Sequence, residues 1–473
     1  MRTRCVTKLA PVAIAKGNAG SPKGFARNGG TDASSIKFFR KFHPADRASI
    51  LYREWRTMKE LIQNRRFLLV WLAQTASGLG GIFAMFIEAW LVYSITGSKM
   101  AMSGLFIAYM FSSLIVQLWA GPYLDRWDRR LVMALTQWSR AAGYLVPTVM
   151  YLLDSLALWH LYLAVLIGGA ADPLFRSSSM AYLPDLLPEK RLVKGNAVLE
   201  GTLNAMALVG PPLAGMALGW VGAEMILSAL VSLLALSGGL LLLLPGSRPN
   251  ADDRKQPWIN QFKEGLGFFK MHPMLLGLGL LIMVGNFAYG TIEPMFLPYV
   301  SEVLHGTPLQ FGLLTSAFSL GMLSGSLWMS LREEPRNRRL YMFSANGVAG
   351  LTIFAMGAVH LFSVALLLAF VSGVCAIIFN VLNTTLYQRF VPKKMRGRVF
   401  TVRSLMAQSA IPLGAFLGGG FAELWGLPLL FLTAGGAVIL VTVVAWFHPV
   451  FRQLNQPAAA SRNGEMPLTG LDL

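Results

Sequence analysis

Five ionisable side chains lie inside apolar runs that are otherwise almost free of charge: Glu88, Arg140, Asp172, Arg176 and Glu293. An ionised group in hydrocarbon costs several kcal/mol, which makes each a functional candidate by default. The chemistry open to a carboxylate in such a setting is proton carriage. Burial favours its neutral form and water its charged form, so a carboxylate alternating between the two can load a proton on one side and release it on the other. Glu88, Asp172 and Glu293 are the proton-coupling candidates. Asp172 and Arg176 are four apart, on one helical face. They read as an internal ion pair that lowers the cost of burial, or as a switch broken when Asp172 takes up a proton. For Glu88 the alternative is solvation at the membrane interface, and for Glu293, which precedes Pro294, a place at a helix kink. Asn286, Tyr289 and Glu293 share one helical face, as do Asn380, Asn383 and Tyr387. With Arg176, these polar stripes are candidate binding residues.

The elements that hold these residues are membrane spans. Charged residues make up 14% of the chain and hydrophobic ones 54%, with a mean hydropathy of +0.53; a soluble domain averages about 25% charged. A span needs roughly 20 apolar residues. Twelve runs qualify, starting near Phe67, Ala101, Leu131, Ala157, Asn196, Ala223, Met274, Pro308, Leu340, Phe362, Thr401 and Leu427. The net charge of +18 invites a nucleic-acid reading, but its distribution argues against one. Arg and Lys crowd alternate loops, and the loops of the opposite side carry Lys99 alone. By the positive-inside rule this puts both termini in the cytoplasm, where basic tails meet anionic lipid. Cys5 and Cys375 lie in the tail and in a span and are not placed to pair. Neither a metal-ligand cluster nor a nucleotide-binding or nucleophile motif is visible, so the expectation is no metal, no cofactor and no enzyme activity.

One loop is more specific than any single charge. Gly121-Pro122-Tyr123-Leu124-Asp125-Arg126-Trp127-Asp128-Arg129-Arg130 separates two apolar runs, with Gly121-Pro122 expected to turn the chain. Asp125 can accept hydrogen bonds from a helix N-terminus or from arginine. The arginines alone would suit a positive-inside anchor. The full pattern of Gly121, Asp125, Arg126, Arg129 and Arg130 resembles the signature loop between helices 2 and 3 of the major facilitator superfamily. The resemblance covers residues 65–450. It implies an all-α membrane protein with twelve transmembrane helices in two six-helix pseudo-symmetric bundles. It also implies that helices 1, 4, 7 and 10 line the cavity, which leaves Arg140 of helix 3 peripheral and structural. Asp125 would cap helix 11 near Thr401 and Arg403.

The halves are related in sequence, as expected of internal repeats around a midplane site; the superfamily is itself an example used for that principle. Gly97-Ser98 and Asp128-Arg129-Arg130 parallel Gly306-Thr307 and Asn337-Arg338-Arg339. In the second half the loop lacks the Asp-Arg pair, and Glu333 and Glu334 are the available acids. The expected organisation is a basic tail over 1–66, disordered for most of its length, bundles over 67–245 and 274–450, a cytoplasmic linker over 246–273 and a tail over 451–473. The acid-free first 30 residues superficially suit a transit peptide, but Met58 would make a natural start. Within the superfamily the chain looks most like the drug and siderophore exporters. Gly210-Pro211-Pro212-Leu213-Ala214-Gly215 resembles the helix-5 antiporter motif, with Ala214 replacing a glycine. Small residues allow close helix approach, and the prolines would bend helix 5 and help seal one bundle against the other. The implied function is proton-coupled efflux of a small amphipathic compound by a monomer of the cell inner membrane. The alternatives are an importer or lipid transporter on the same fold, or a membrane sensor or scaffold.

Overall fold

The computed structural model describes residues 61, 63–124, 127–246, 258–392 and 395–455. Among them no strand occurs, and the helices follow the spans read from hydropathy. They are α1 (Arg65–Thr96), α2 (Lys99–Leu124), α3 (Arg129–Leu152) and α4 (Leu158–Leu186). The stretch Glu189–Leu242 holds α5 (189–221) and α6 (223–242), joined at Gly222, whose φ of 79° is left-handed. A linker helix, Trp258–Met271, precedes α7 (Pro273–Ile292), which continues through short irregular turns to Val303. The chain ends in α8 (Pro308–Leu331), α9 (Arg338–Met356), α10 (Phe362–Phe390), α11 (Arg396–Trp425) and α12 (Leu427–Phe447). Residues 1–60 and 456–473, and most of the central linker before the helix, lie outside the described residues.

Nine helical stretches among the described residues are long and apolar enough to cross a bilayer, one of them the joined α5–α6 pair. α3 and α9 complete the twelve. Both are less apolar because they carry polar side chains that must find partners. Asn346 of α9 does so by donating to Thr442 of α12 at 2.7 Å. α5 begins at Glu189 rather than Asn196 and α11 at Arg396 rather than Thr401. Hydropathy marks the hydrocarbon, whereas a helix can run on into water with polar first turns. Likewise Gly121-Pro122 does not turn the chain, since α2 continues to Leu124.

The repeat is visible in the caps. Asp128 accepts from the Arg130 amide at 3.0 Å and Asn337 from the Leu340 amide at 3.0 Å. The second-half loop has lost its acid-arginine pair but kept its helix cap. Arg130 donates to the Leu244 carbonyl after α6, and Arg339 to the Trp446 carbonyl at the end of α12. Each arginine thus meets the negative end of its bundle's last helix. Within the first bundle α1 packs on the α5–α6 stretch, α2 on α4, and α3 on α4. In the second, α7 packs on α11, α8 on α10, and α9 on α10 and α12. Two seams join the bundles, α2 on α11 and α5 on α8.

The apolar cores divide unevenly along the helices. Around the end that carries Lys99, one continuous core takes Ile87, Met102 and Leu161 from the first bundle and Met295, Leu314 and Phe431 from the second. Towards the signature-loop end the cores are separate, one around Met133 and Tyr182 and another around Phe269, Leu278 and Tyr387. The bundles are therefore fused at the Lys99 end and separate at the other.

Candidate functional site

Where the cores part, a cavity of about 470 Å³ opens between the bundles, within the usual size of a small-molecule site, roughly 300–1,000 Å³. α1, α2, α3, α4 and α5 supply most of its wall, and α7 and α8 the remainder. Glu88, Asp172 and Arg176 face it from the first bundle, Glu293 and Tyr289 from the second. Between them lie Met85, Met102, Met180, Phe106, Phe175 and Phe311. Unbranched Met side chains adapt to varied apolar shapes, so this wall suits the body of an amphipathic ligand. Gln74, Asn196 and Glu200 extend the lining towards the signature-loop end.

Glu88 is 5% exposed, so it is not at the interface. Its carboxylate faces the Tyr144 hydroxyl and the Arg140 guanidinium, and one of its oxygens has no hydrogen-bond partner. Arg140 corrects the sequence reading. It was expected at the periphery, yet it lines the cavity and is 6% exposed. The reason is reach. Its guanidinium passes over Gly81 of α1, where a Cβ would come within 3.2 Å of Nη2. It donates to Ser77 Oγ at 3.2 Å, and Gln137 Nε2 donates to the same oxygen at 2.7 Å. A glycine on α1 facing an arginine on α3 was the signal available in the sequence, but only the packing gives it meaning.

Asp172 and Arg176 both stand near the Tyr109 hydroxyl, but no ion pair joins them, contrary to the expected internal pair. Arg176 is exposed to the cavity, where water can solvate the guanidinium and pairing gains little. The second polar stripes divide in the same way. Tyr289 is 41% exposed and Glu293 half-buried, both on the cavity wall. Asn286 instead donates to the Ala407 carbonyl of α11 at 2.9 Å. Asn383 and Tyr387 are fully buried and donate to α7 carbonyls, Asn383 to Leu278 at 3.3 Å and Tyr387 to Leu275 at 2.5 Å. Asn380 is exposed, with Thr384 donating to its side-chain oxygen. The α10 stripe thus mostly ties helices together.

In the signature loop, Asp125 and Arg126 lie outside the described residues, and Gly121 falls in the last turn of α2. Arg129 donates to the Ala181 carbonyl at 2.9 Å and pairs with Asp185 of α4 at 3.1 Å. Glu334 does related work in the second half, pairing with Arg338 at 2.6 Å and with Arg389 of α10. The helix-5 motif sits on the α5–α8 seam. A Cβ on Gly215 would lie 2.5 Å from the Pro308 carbonyl oxygen, and one on Gly312 would strike the Pro211 carbonyl. Gly210 packs against Ile82 of α1. At the Lys99 end the seams carry polar contacts, Lys99 to Glu302 at 2.8 Å and the Lys99 amide to Glu423 at 2.8 Å. Neither acid stood out in the sequence, because charges beside short loops look like ordinary solvated residues.

Comparison with known proteins fits this architecture. Over residues 60–472 the chain matches the family described as transmembrane secretion effector, MFS_3. It is 29% identical to the multidrug efflux pump Tap of Mycolicibacterium fortuitum, over 82% of this chain and 97% of that protein. It is 21% identical to macrolide efflux protein A of Streptococcus pyogenes, again over 82% and 97%. Among solved structures, a bacterial homologue of the iron transporter ferroportin in an inward-facing state superposes with a TM-score of 0.62. The match is at 18% identity, over 84% of this chain and all of that one. Twelve spans among the described residues, paired bundles, a cavity between them and a family match along nearly the whole described length make one conclusion: the chain belongs to the transmembrane secretion effector family of the major facilitator superfamily, and is a membrane transporter rather than an enzyme.

Proposed function

We propose that the protein exports a small amphipathic compound from the cytoplasm in exchange for protons, by alternating access between its two bundles. One observation carries the reading. A cavity bounded by both bundles, apolar along much of its wall and bearing carboxylates on opposite sides, ends in a fused core at one end and in separate cores at the other. A transporter caught loading substrate has this form. The signature-loop end is cytoplasmic, because the basic loops crowd there, and both termini are cytoplasmic with it. Bundles over 67–245 and 274–450 move against each other around the linker. The protein works as a monomer of the cell membrane.

Glu88, Asp172 and Glu293 are the groups proposed to carry protons. Each would be neutral when closed off and ionised when water reaches it. Glu88 and Glu293 belong to equivalent helices of the two repeats, so one bundle movement changes the surroundings of both. Efflux of antibiotics is what the names of Tap and macrolide efflux protein A describe for those proteins; here it supports amphipathic drugs and related metabolites as the compounds to screen. Accumulation of such compounds in cells with and without the gene tests the proposal. Lower accumulation with the gene, restored by an uncoupler, is expected. Equal accumulation across a broad panel, at matched expression, would reject it.

A further inference from the structure

The charged contacts of this protein are distributed unequally, and the distribution suggests a device. Near the signature-loop end, the pairs Arg129–Asp185, Arg130–Asp128, Arg338–Glu334 and Arg389–Glu334 each stay within one bundle, and Arg398–Glu264 ties α11 to the linker helix. The pair at the opposite end, Lys99–Glu302, crosses between bundles at 2.8 Å. Four further contacts cross beside it, one of them from Ser98 Oγ, which donates to Glu423 Oε2 at 3.3 Å. Tyr93 of α1 donates to Glu302 Oε1 at 2.5 Å. The backbone amides of Lys99 and Met100 donate to Glu423 Oε2 at 2.8 and 3.2 Å.

The second carboxylate acts as a helix cap supplied from the other bundle. α2 begins at Lys99, one residue beyond Gly97, which is in a left-handed conformation with φ 59°. Its first amides have no partner within the helix and carry the positive end of its dipole. Ser98 serves one of them, accepting from the Ala101 amide at 3.2 Å. The Lys99 and Met100 amides fall to Glu423, two residues before α11 ends. Close approach is possible because Gly419, one turn earlier on α11, leaves room for Ser103 of α2. Lys99 is therefore held twice, by its backbone from α11 and by its side chain from the end of α7.

We propose that Glu302 and Glu423 form a latch that holds the Lys99 end closed and releases when the bundles part there. All its bonds join opposite bundles, so none survives separation. Both acids are exposed, and water replaces their partners once the latch opens. The latch therefore adds little to the folding of either bundle and acts on the balance between the two states. It rests on the alternating-access reading above. It also mirrors the expected contact of Asp125 with α11 at the cytoplasmic end. α2 and α11 would each borrow a cap from the other's bundle, at opposite ends and in opposite states.

Spin labels on Ser155→Cys, in the α3–α4 loop, and His360→Cys, in the α9–α10 loop, report the gap at this end. Both positions are exposed and lie in different bundles. The full chain, with Cys5 and Cys375 replaced by Ser, is measured in lipid by electron–electron double resonance. The latch predicts a short and a long distance, with the short-to-long ratio falling on the order of tenfold in Glu302→Ala/Glu423→Ala, as expected for loss of a cap and a charge-assisted bond. Each single variant should shift it by roughly threefold. Glu264→Gln, which removes the pair between α11 and the linker helix at the opposite end, should leave it unchanged. Two distances with an unaltered ratio in the double variant would overturn the latch while leaving alternating access standing, as would lowered thermal stability without a change of ratio. One unchanging distance in every variant would overturn both.

Discussion

Gly312 offers the sharpest test of the α5–α8 seam. A Cβ there would strike the Pro211 carbonyl and come within 2.8 Å of Pro212 Cα. Both are backbone atoms of a proline pair that cannot rotate aside, so the methyl of Gly312→Ala must push the helices apart. Overpacking of this kind costs about 1–3 kcal/mol. The cost falls only on the state in which the seam is closed, and corresponds to roughly a 5- to 150-fold shift between states. The gain in helix propensity on replacing glycine, about 1 kcal/mol, is common to both states and does not offset it. The assay is alkylation of Ser316→Cys by an impermeant maleimide from outside the cell, with Cys5 and Cys375 replaced by Ser. Ser316 is 7% exposed and donates to the Leu208 carbonyl across the seam, so labelling requires the seam to open. Gly312→Ala should raise the labelling rate at least fivefold. Gly201→Ala, at a glycine with open space around it, should not. Equal rates in the two variants and the parent would show that the seam does not open during the cycle.

Three further outcomes follow from the same account. Asp125→Asn should insert normally but slow transport, because a neutral amide caps a helix dipole less well than a carboxylate; wild-type rates at matched expression would remove Asp125 from the cycle. A tag in the 246–273 linker should be protected in intact cells while a cysteine at Lys99 labels from outside; external labelling of the linker would reverse the orientation. Glu293→Gln should bind substrate yet lose efflux driven by a pH gradient, while energy-independent substrate exchange survives. Loss of both modes would make Glu293 a substrate contact, and loss of neither would pass the role to Asp172 or Glu88.

Much of this was legible in the chain. Hydropathy marked the starts of α8, α10 and α12 at Pro308, Phe362 and Leu427, because in those places a polar turn and the edge of the hydrocarbon coincide. The repeat was legible because capping residues such as Asp128 and Asn337 must recur where equivalent helices begin. What escaped depends on contacts between distant segments. Arg140 looked peripheral since its helix is peripheral, but a long side chain passing Gly81 reaches the cavity. Asp172 and Arg176 looked paired because spacing reveals a shared face and not the cavity in front of it. Tyr387 and Asn383 looked like cavity residues because a polar stripe facing a neighbouring helix has the same period as one facing a ligand. Glu302 and Glu423 gave no signal at all, since their partners lie more than two hundred residues away in the chain.

Transport itself is the most direct test. Inverted membrane vesicles expose the cytoplasmic face, so an acid-inside gradient should drive a labelled macrolide, or an amphipathic dye from the cell screen, into the lumen. The account predicts accumulation that requires the protein, collapses with an uncoupler and is lost in Glu293→Gln. Gradient-driven release of preloaded compound would make the protein an importer, and saturable binding without any accumulation would contradict transport altogether.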